Sequence, residues 1–201
     1  MNGMIEIHDF TERYLEDAAA IALRLWEAAI PGMPVEMRTR IYRYLVRYYY
    51  IPGSPLSLRA MENGKLCAFL LGAPASEIGS EHADKWMAGQ LNGTDESVFF
   101  QEYKAYIDRN RRQEYLHAAA NEASLLLFAS IRRGAGKKLL EEFEKRCRSH
   151  GMTSIILWTD ETCDFDYYHR NGFTEAAKFP ADPTICDLKL TTYLFRKSVK
   201  D

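Results

Sequence analysis

With 201 residues, 47% of them hydrophobic and 27% charged, the chain is long enough to bury the core of one ordinary domain, residues 1–201. A formal net charge of −2 argues against nucleic acid as a partner, and Cys67, Cys147, Cys163 and Cys186 have neither the pairing of a zinc site nor the density of a disulfide scaffold. No stretch is apolar enough for a signal peptide or a membrane span, so the expectation is a cytoplasmic protein with no metal and no membrane partner.

Residues 4–10 alternate apolar and polar and predict a first strand, with Thr11 placed to cap the helix that follows. Leu15, Ala18, Ala19, Ala22, Leu23 and Trp26 form one face of that helix, which Ile30, Pro31 and Gly32 should end. A second helix is expected from Val35 to Tyr49, closing on the aromatic run Tyr48, Tyr49, Tyr50, which serves either packing or a substrate wall. Ser57 to Met61 and Leu66 to Leu71 flank Asn63-Gly64, the strongest short-range signal for a β-hairpin.

Residues 73–118 lose the strand pattern and read as a helical insertion between the third and fourth strands. One helix is expected near Asp84 to Gln90 and another near Glu96 to Asn110, with Phe99, Tyr103, Tyr106 and Ile107 on one face. The segment reads as a helical lid, or else as a packing insertion or homodimer contact.

Leu125 to Phe128 is short, continuously apolar and followed by a glycine-rich turn, the pattern of a buried central strand. From Lys137 the spacing of Leu140, Phe143 and Cys147 is helical, and Gly151 provides the stop. The start of this helix carries Arg132, Arg133, Lys137 and Lys138, although a helix N-terminus is itself positive and normally attracts carboxylates. Four cations there imply a missing anion, and Gly134 and Gly136 allow backbone amides to approach a phosphate closely. Neither a P-loop nor a dinucleotide fingerprint fits, because Ile131, Lys138 and Leu139 occupy positions those motifs reserve for glycine or a hydroxyl residue. Beyond it, residues 153–160 read as a strand, a short helix lies near Tyr167, and Phe173 to Phe179 and Leu188 to Lys197 form a closing antiparallel pair. The loop between that pair runs through Pro180, Ala181, Asp182 and Pro183.

The strand, glycine turn and basic helix resemble the acyl-CoA-binding core of the GNAT superfamily of N-acyltransferases. Residues 131–136 match the family's Gln/Arg-x-x-Gly-x-Gly/Ala segment at both glycines, though Ile131 departs at the first position. Tyr167-Tyr168-His169-Arg170-Asn171-Gly172-Phe173 is similar to the family's Phe-Tyr-x-x-x-Gly-Phe segment. The resemblance implies a mixed α/β fold: a twisted, mostly antiparallel sheet with helices on both faces, splayed between strands four and five.

It also implies acetyl-CoA as co-substrate and transfer of an acetyl group to a primary amine, here expected to belong to a small molecule. A non-catalytic acyl-CoA-binding module and a protein N-acetyltransferase are the alternatives. Backbone groups of Phe128 and Ser130 would pair with the pantetheine arm. Amides from Arg132 through Gly134, Ala135 and Gly136 to Lys137 would hold the pyrophosphate, helped by the side chains of Arg132, Arg133 and Lys137. Asn171 and Arg170 are expected near the 3′-phosphate. Tyr168 is the expected proton donor to the leaving thiolate, with Tyr167 next to it as a second candidate. Glu122 is the first choice of base, and Asp160 the alternative. Cys163 would form an acyl-enzyme only if its thiol were acidified, so direct transfer is expected.

Overall fold

Asn63 and Gly64 both adopt left-handed backbone, with φ of 50° and 75°, as a two-residue hairpin turn of this type requires. That turn joins β2 (Leu58–Glu62) to β3 (Lys65–Pro74), and β1 (Ile5–Asp9) adds to the outer side of β2. These coordinates are a computed structural model that describes residues 3–26, 33, 35–77, 81–164, 166–180 and 189–199. Their strands form one seven-stranded sheet in the order β1-β2-β3-β4-β5-β7-β6, completed by β4 (Glu122–Ser130), β5 (Ser154–Thr159), β6 (Thr174–Phe179) and β7 (Thr192–Ser198). Every neighbouring pair is antiparallel except β4 with β5.

That parallel pair is also the sheet's weak seam. β4 and β5 are in register only at Glu122 with Ser154, Ala123 with Ile155, and Ser124 with Ile156, and from Leu125 onward they diverge. On its other side β4 stays paired to β3 as far as Ser130, with a β-bulge: Leu71 faces Leu127 and Gly72 faces Leu125, leaving Leu126 as the extra residue. Bulge and splay together leave the β5-facing edge of β4 unpaired from Leu125 to Ser130.

Alternation along the strands sorts the core into two layers. Phe69, Leu71 and Ala73 of β3 face α1 (Leu15–Trp26) and α2 (Val35–Tyr49), while Ala68 and Leu70 face α5 (Ala135–Ser149). Phe143 of α5 lies so close to the sheet at Gly72 that a Cβ there would stand 2.4 Å from its ring. The segment between β3 and β4 carries α3 (Glu81–Ala88) and α4 (Thr94–His117), which pack on the α1–α2 side. A short α6 (Asp166–Arg170) follows β5.

Two expectations need correction. Thr11 makes no side-chain cap; its carbonyl instead accepts the Tyr14 amide at 3.0 Å as the chain enters α1 through a tight turn at Glu12–Tyr14. α4 also runs a further two turns beyond Asn110, because Asn110, Arg111 and Glu114 are buried in spite of their polarity. The expected stop at Ile30–Gly32 and the loop at Ala181–Pro183 lie outside the described residues.

Candidate active site

Gly134 precedes α5 with φ of 84°, a left-handed conformation that would strain any other residue, and open space surrounds the position of its missing Cβ. This conformation turns the chain into the helix so that the amides of Gly136 and Lys137 find no acceptor among the described residues, while Ala135 donates to Arg132. Gly136 lets the helix start sit against β4: a Cβ there would meet Phe128 Cζ at 3.2 Å and Ser130 Cβ at 3.4 Å. The first turn of α5 contains no acidic residue.

These groups border an open cleft of about 780 Å³. Phe128 and Ser130 line it from β4, Arg132, Arg133, Gly134, Gly136 and Lys137 from the turn, and Tyr167 and Tyr168 from α6. Arg24, from the last turn of α1, adds a cation that the sequence reading missed. The cleft's one carboxylate among the described lining residues, Asp164, pairs with Arg170 at 3.2 Å. Arg132 is held by Glu62, its Nε donating at 2.9 and 3.0 Å to the two carboxylate oxygens. Unpaired amides, excess positive charge and glycine clearance suit a pyrophosphate. Asn171 does not line this cleft; its side-chain amide donates to the Tyr167 carbonyl at 2.8 Å.

Through the splay the cleft meets a second, smaller cavity of about 130 Å³, and Trp26, Phe128, Thr162, Cys163 and Tyr168 line both. Leu125, Leu126 and Leu127 form one side of the inner cavity and Trp158, Thr159 and Asp160 the other. Tyr42, Leu45 and Tyr49 of α2 and Tyr103, Tyr106 and Ile107 of α4 close it from the helical layer. α4 is thus part of the wall. Tyr48 is not: its hydroxyl donates to Asp108 at 2.8 Å.

Asp160 is the only charged residue among the described ones lining this cavity, and it is 5% exposed. Its Oδ1 accepts the Thr162 amide at 2.8 Å and the Thr162 hydroxyl at 2.5 Å, while Oδ2 accepts the Tyr106 hydroxyl. Burial and then the Asp160 charge push the Tyr106 phenol far up, so this donor keeps its proton. Tyr168 stacks on Phe195 at 5.8 Å and meets Phe173 edge-on at 5.6 Å. Burial, and after it the Cys163 thiol, raise the Tyr168 phenol well above its ordinary value. Burial likewise pushes the Cys163 thiol up, with Asp160 adding to the effect, so a thiolate is disfavoured where an acyl-enzyme would need one.

Glu122 lies elsewhere. It stands six residues before Phe128 on β4, roughly 20 Å along the strand, and lines neither cavity. Arg196 Nε donates to its Oε1 at 2.6 Å, Ser154 Oγ donates to the same oxygen at 2.7 Å, and the Ala119 amide donates to Oε2 at 2.7 Å. Burial alone would raise its pKa; the Arg196 hydrogen bond and the other two donors outweigh it and hold the carboxyl below its usual range. Glu122 therefore fastens β4 to β5 and β7, and the structure does not bring it to Tyr168. Among the described residues no cluster of His, Cys, Asp or Glu could hold a metal ion, and no helix is long and apolar enough to cross a membrane.

No protein-family model matches the chain, and no curated protein matches it significantly in sequence. Solved structures do. The chain is similar to Ard1 from Thermoplasma volcanium, at 16% identity over 98% of this chain and 99% of that one, with a TM-score of 0.57. It is similar to the ribosomal-protein-S18-alanine N-acetyltransferase from Escherichia coli, at 15% identity over 98% and 96% of the two chains and a TM-score of 0.55. PaiA N-acetyltransferase from Thermoplasma acidophilum, solved in complex with coenzyme A, matches at 17% identity over 97% and 99%, also with a TM-score of 0.55. The chain has the GNAT N-acetyltransferase fold.

Proposed function

We propose that the protein transfers an acetyl group from acetyl-CoA directly to an amine. The observation that carries this reading is the junction itself: the unpaired edge of β4 leads from the amide-lined basic cleft to a smaller cavity whose one carboxylate among the described lining residues is Asp160, and Tyr168 lines both. The PaiA relative with coenzyme A bound supports the same use of the fold.

Amides of Gly136 and Lys137, with the side chains of Arg24, Arg133 and Lys137, would hold the pyrophosphate and phosphate charge, and the edge of β4 at Phe128 and Ser130 would pair with the pantetheine arm. Acetyl-CoA supplies an activated acyl carbon and a thiolate leaving group. As the amine nitrogen bonds to that carbon and the C–S bond breaks, Asp160 takes the proton the nitrogen loses and Tyr168 gives its phenolic proton to the sulfur. Asp160 displaces Glu122 as the base in this scheme, because Asp160 lines the cavity and Glu122 is committed to Arg196. The small size of the inner cavity, about 130 Å³, favours a small-molecule acceptor, and the three described cysteines, all unbridged, suit a reducing cytoplasm.

The test is stopped-flow detection of free thiol on mixing the acetyl-CoA complex with a panel of amines, run on wild type and Tyr168→Phe. Amine-dependent thiol release that falls about 100-fold in the variant, within the usual range for a lost general acid, supports the scheme. A stable acetyl-CoA complex that no amine or peptide N-terminus discharges would show a binding module instead.

A further inference from the structure

The inner cavity has a specific polar arrangement that acetyl transfer in general does not require. Its walls combine aromatic rings with leucines: Tyr106 meets Trp158 edge-on at 5.8 Å, and Tyr42, Tyr49, Tyr103 and Tyr168 add further rings. Asp160 supplies one negative charge, and no cation lines the cavity among the described residues. Three further polar atoms of the lining residues are buried without a hydrogen bond, the Tyr49 hydroxyl, Trp158 Nε1 and the Thr159 hydroxyl. Tyr49 is 3% exposed, and the indole N–H approaches its hydroxyl without reaching hydrogen-bond geometry. Trp158 N–H can only donate, and a buried donor left without an acceptor is rare in a folded protein. An occupant's oxygen set beside the Tyr49 hydroxyl and the Trp158 N–H would accept from both.

Size limits that occupant. The cavity of about 130 Å³ is close to the roughly 150 Å³ of an engineered cavity that accepts one benzene molecule. Trp158 near the end of β5 and Asp160 just beyond it lie two residues apart, about 7 Å for extended chain, so a charge and an oxygen on one ligand need a spacer of that order.

We propose that the acceptor is a small monoamine with a compact apolar body, one aromatic ring or a short alkyl chain, and a neutral oxygen remote from the nitrogen. Asp160 pairs with the entering ammonium group, which releases one proton to solvent before attack so that Asp160 stays free to take the second; the rings of Tyr103, Tyr106 and Trp158 flank the body, and Tyr49 and Trp158 donate to the oxygen. Two classes of amine are rejected. An amino acid brings a carboxylate that no cation among the described lining residues meets, and a polyamine brings a second charge that none of them pairs. This deepens the transferase reading and rests on it for the word acceptor, but the pocket itself can be tested without the co-substrate.

Calorimetric titration of the full chain with tyramine, 2-phenylethylamine, tyrosine and spermidine provides that test, alongside a separate titration with acetyl-CoA. Tyramine should bind most tightly, 2-phenylethylamine about tenfold more weakly, and tyrosine and spermidine at least 100-fold more weakly. Asp160→Asn should weaken both monoamines at least 50-fold while the Kd for acetyl-CoA stays fixed. Tyr49→Phe should bring the tyramine to 2-phenylethylamine ratio close to one, with thermal melts confirming that each variant folds. Tyrosine or spermidine binding as tightly as tyramine overturns the proposal on wild-type protein alone, as does failure of all four to bind. If the monoamines bind in this order but acetyl-CoA does not, the transferase reading fails and the pocket assignment stands. If acetyl-CoA binds and no monoamine does, the pocket assignment fails alone.

Discussion

The two cavities that meet at Tyr168 are built on opposite principles. The outer cleft is wide, open and rich in positive charge, and its key donors are backbone amides whose direction the turn at Gly134 dictates. The inner cavity is small and aromatic, with one carboxylate held in place by Thr162 and Tyr106. An anion held by amides and mobile cations tolerates side-chain change, whereas a carboxylate in an apolar box depends on each neighbour that orients it. Substitutions should therefore separate the two cavities cleanly.

The largest effect is expected from Gly134→Asp, which places a like charge at the phosphate site and forces a non-glycine residue into the left-handed region. Acetyl-CoA affinity should fall at least 1,000-fold by calorimetry, with a stability loss of only about 1 kcal/mol for the strained backbone, since no atom crowds the new Cβ. Monoamine binding should survive; its loss as well would mean the cavities do not act separately. Tyr168→Phe touches the junction and should lower kcat about 100-fold, the low end for a general acid, without changing the Kd of acetyl-CoA. An unchanged kcat would remove Tyr168 from the chemistry.

Glu122→Gln serves as the control that affects neither cavity. It should cost about 2 kcal/mol, near the low end for breaking a buried ion pair because Arg196 remains 37% exposed, and denaturant melts measure it. The depressed pKa of Glu122 fixes the sign of the pH dependence. Its contribution is complete above the ordinary carboxylate value of 4.5 and disappears as pH falls through the lower folded value. Wild-type and variant stabilities should therefore converge below pH 4.5; a kcat loss without a stability loss would return Glu122 to the role of base. The smallest effect should come from Tyr167→Phe, which removes a buried, unpartnered hydroxyl lining only the outer cleft and should change kcat less than tenfold.

How much could be read in advance follows the same division. The cradle is continuous in sequence, so the glycines, the basic residues and the strand before them announce it together, and the hairpin at Asn63-Gly64 is equally local. The inner cavity draws on α1, α2, α4, both sides of the splay and Leu190, and no periodicity links Tyr49 to Trp158 or Asp160. Glu122 opens the central strand as expected, and the partner that fastens it, Arg196, lies 74 residues away, beyond the reach of any local pattern. The far end of α4 was hidden because Arg111 and Glu114, buried and ion-paired at 3.0 Å, break the apolar stripe that marks a packed helix. Arg24 looked like an ordinary charged residue at a helix end, and only the approach of α1 to the splay gives it a role.

The short seam between β4 and β5 also has a mechanical meaning. The sheet is two ribbons, β1 to β4 and β5 with β7 and β6, stitched edge to edge at three residue pairs and clasped by Glu122. Like a book held at the foot of its spine, it can open at the top while the clasp stays shut. Pulling the ribbons apart from the splayed end would load those stitches one at a time, so the seam should yield before either ribbon frays.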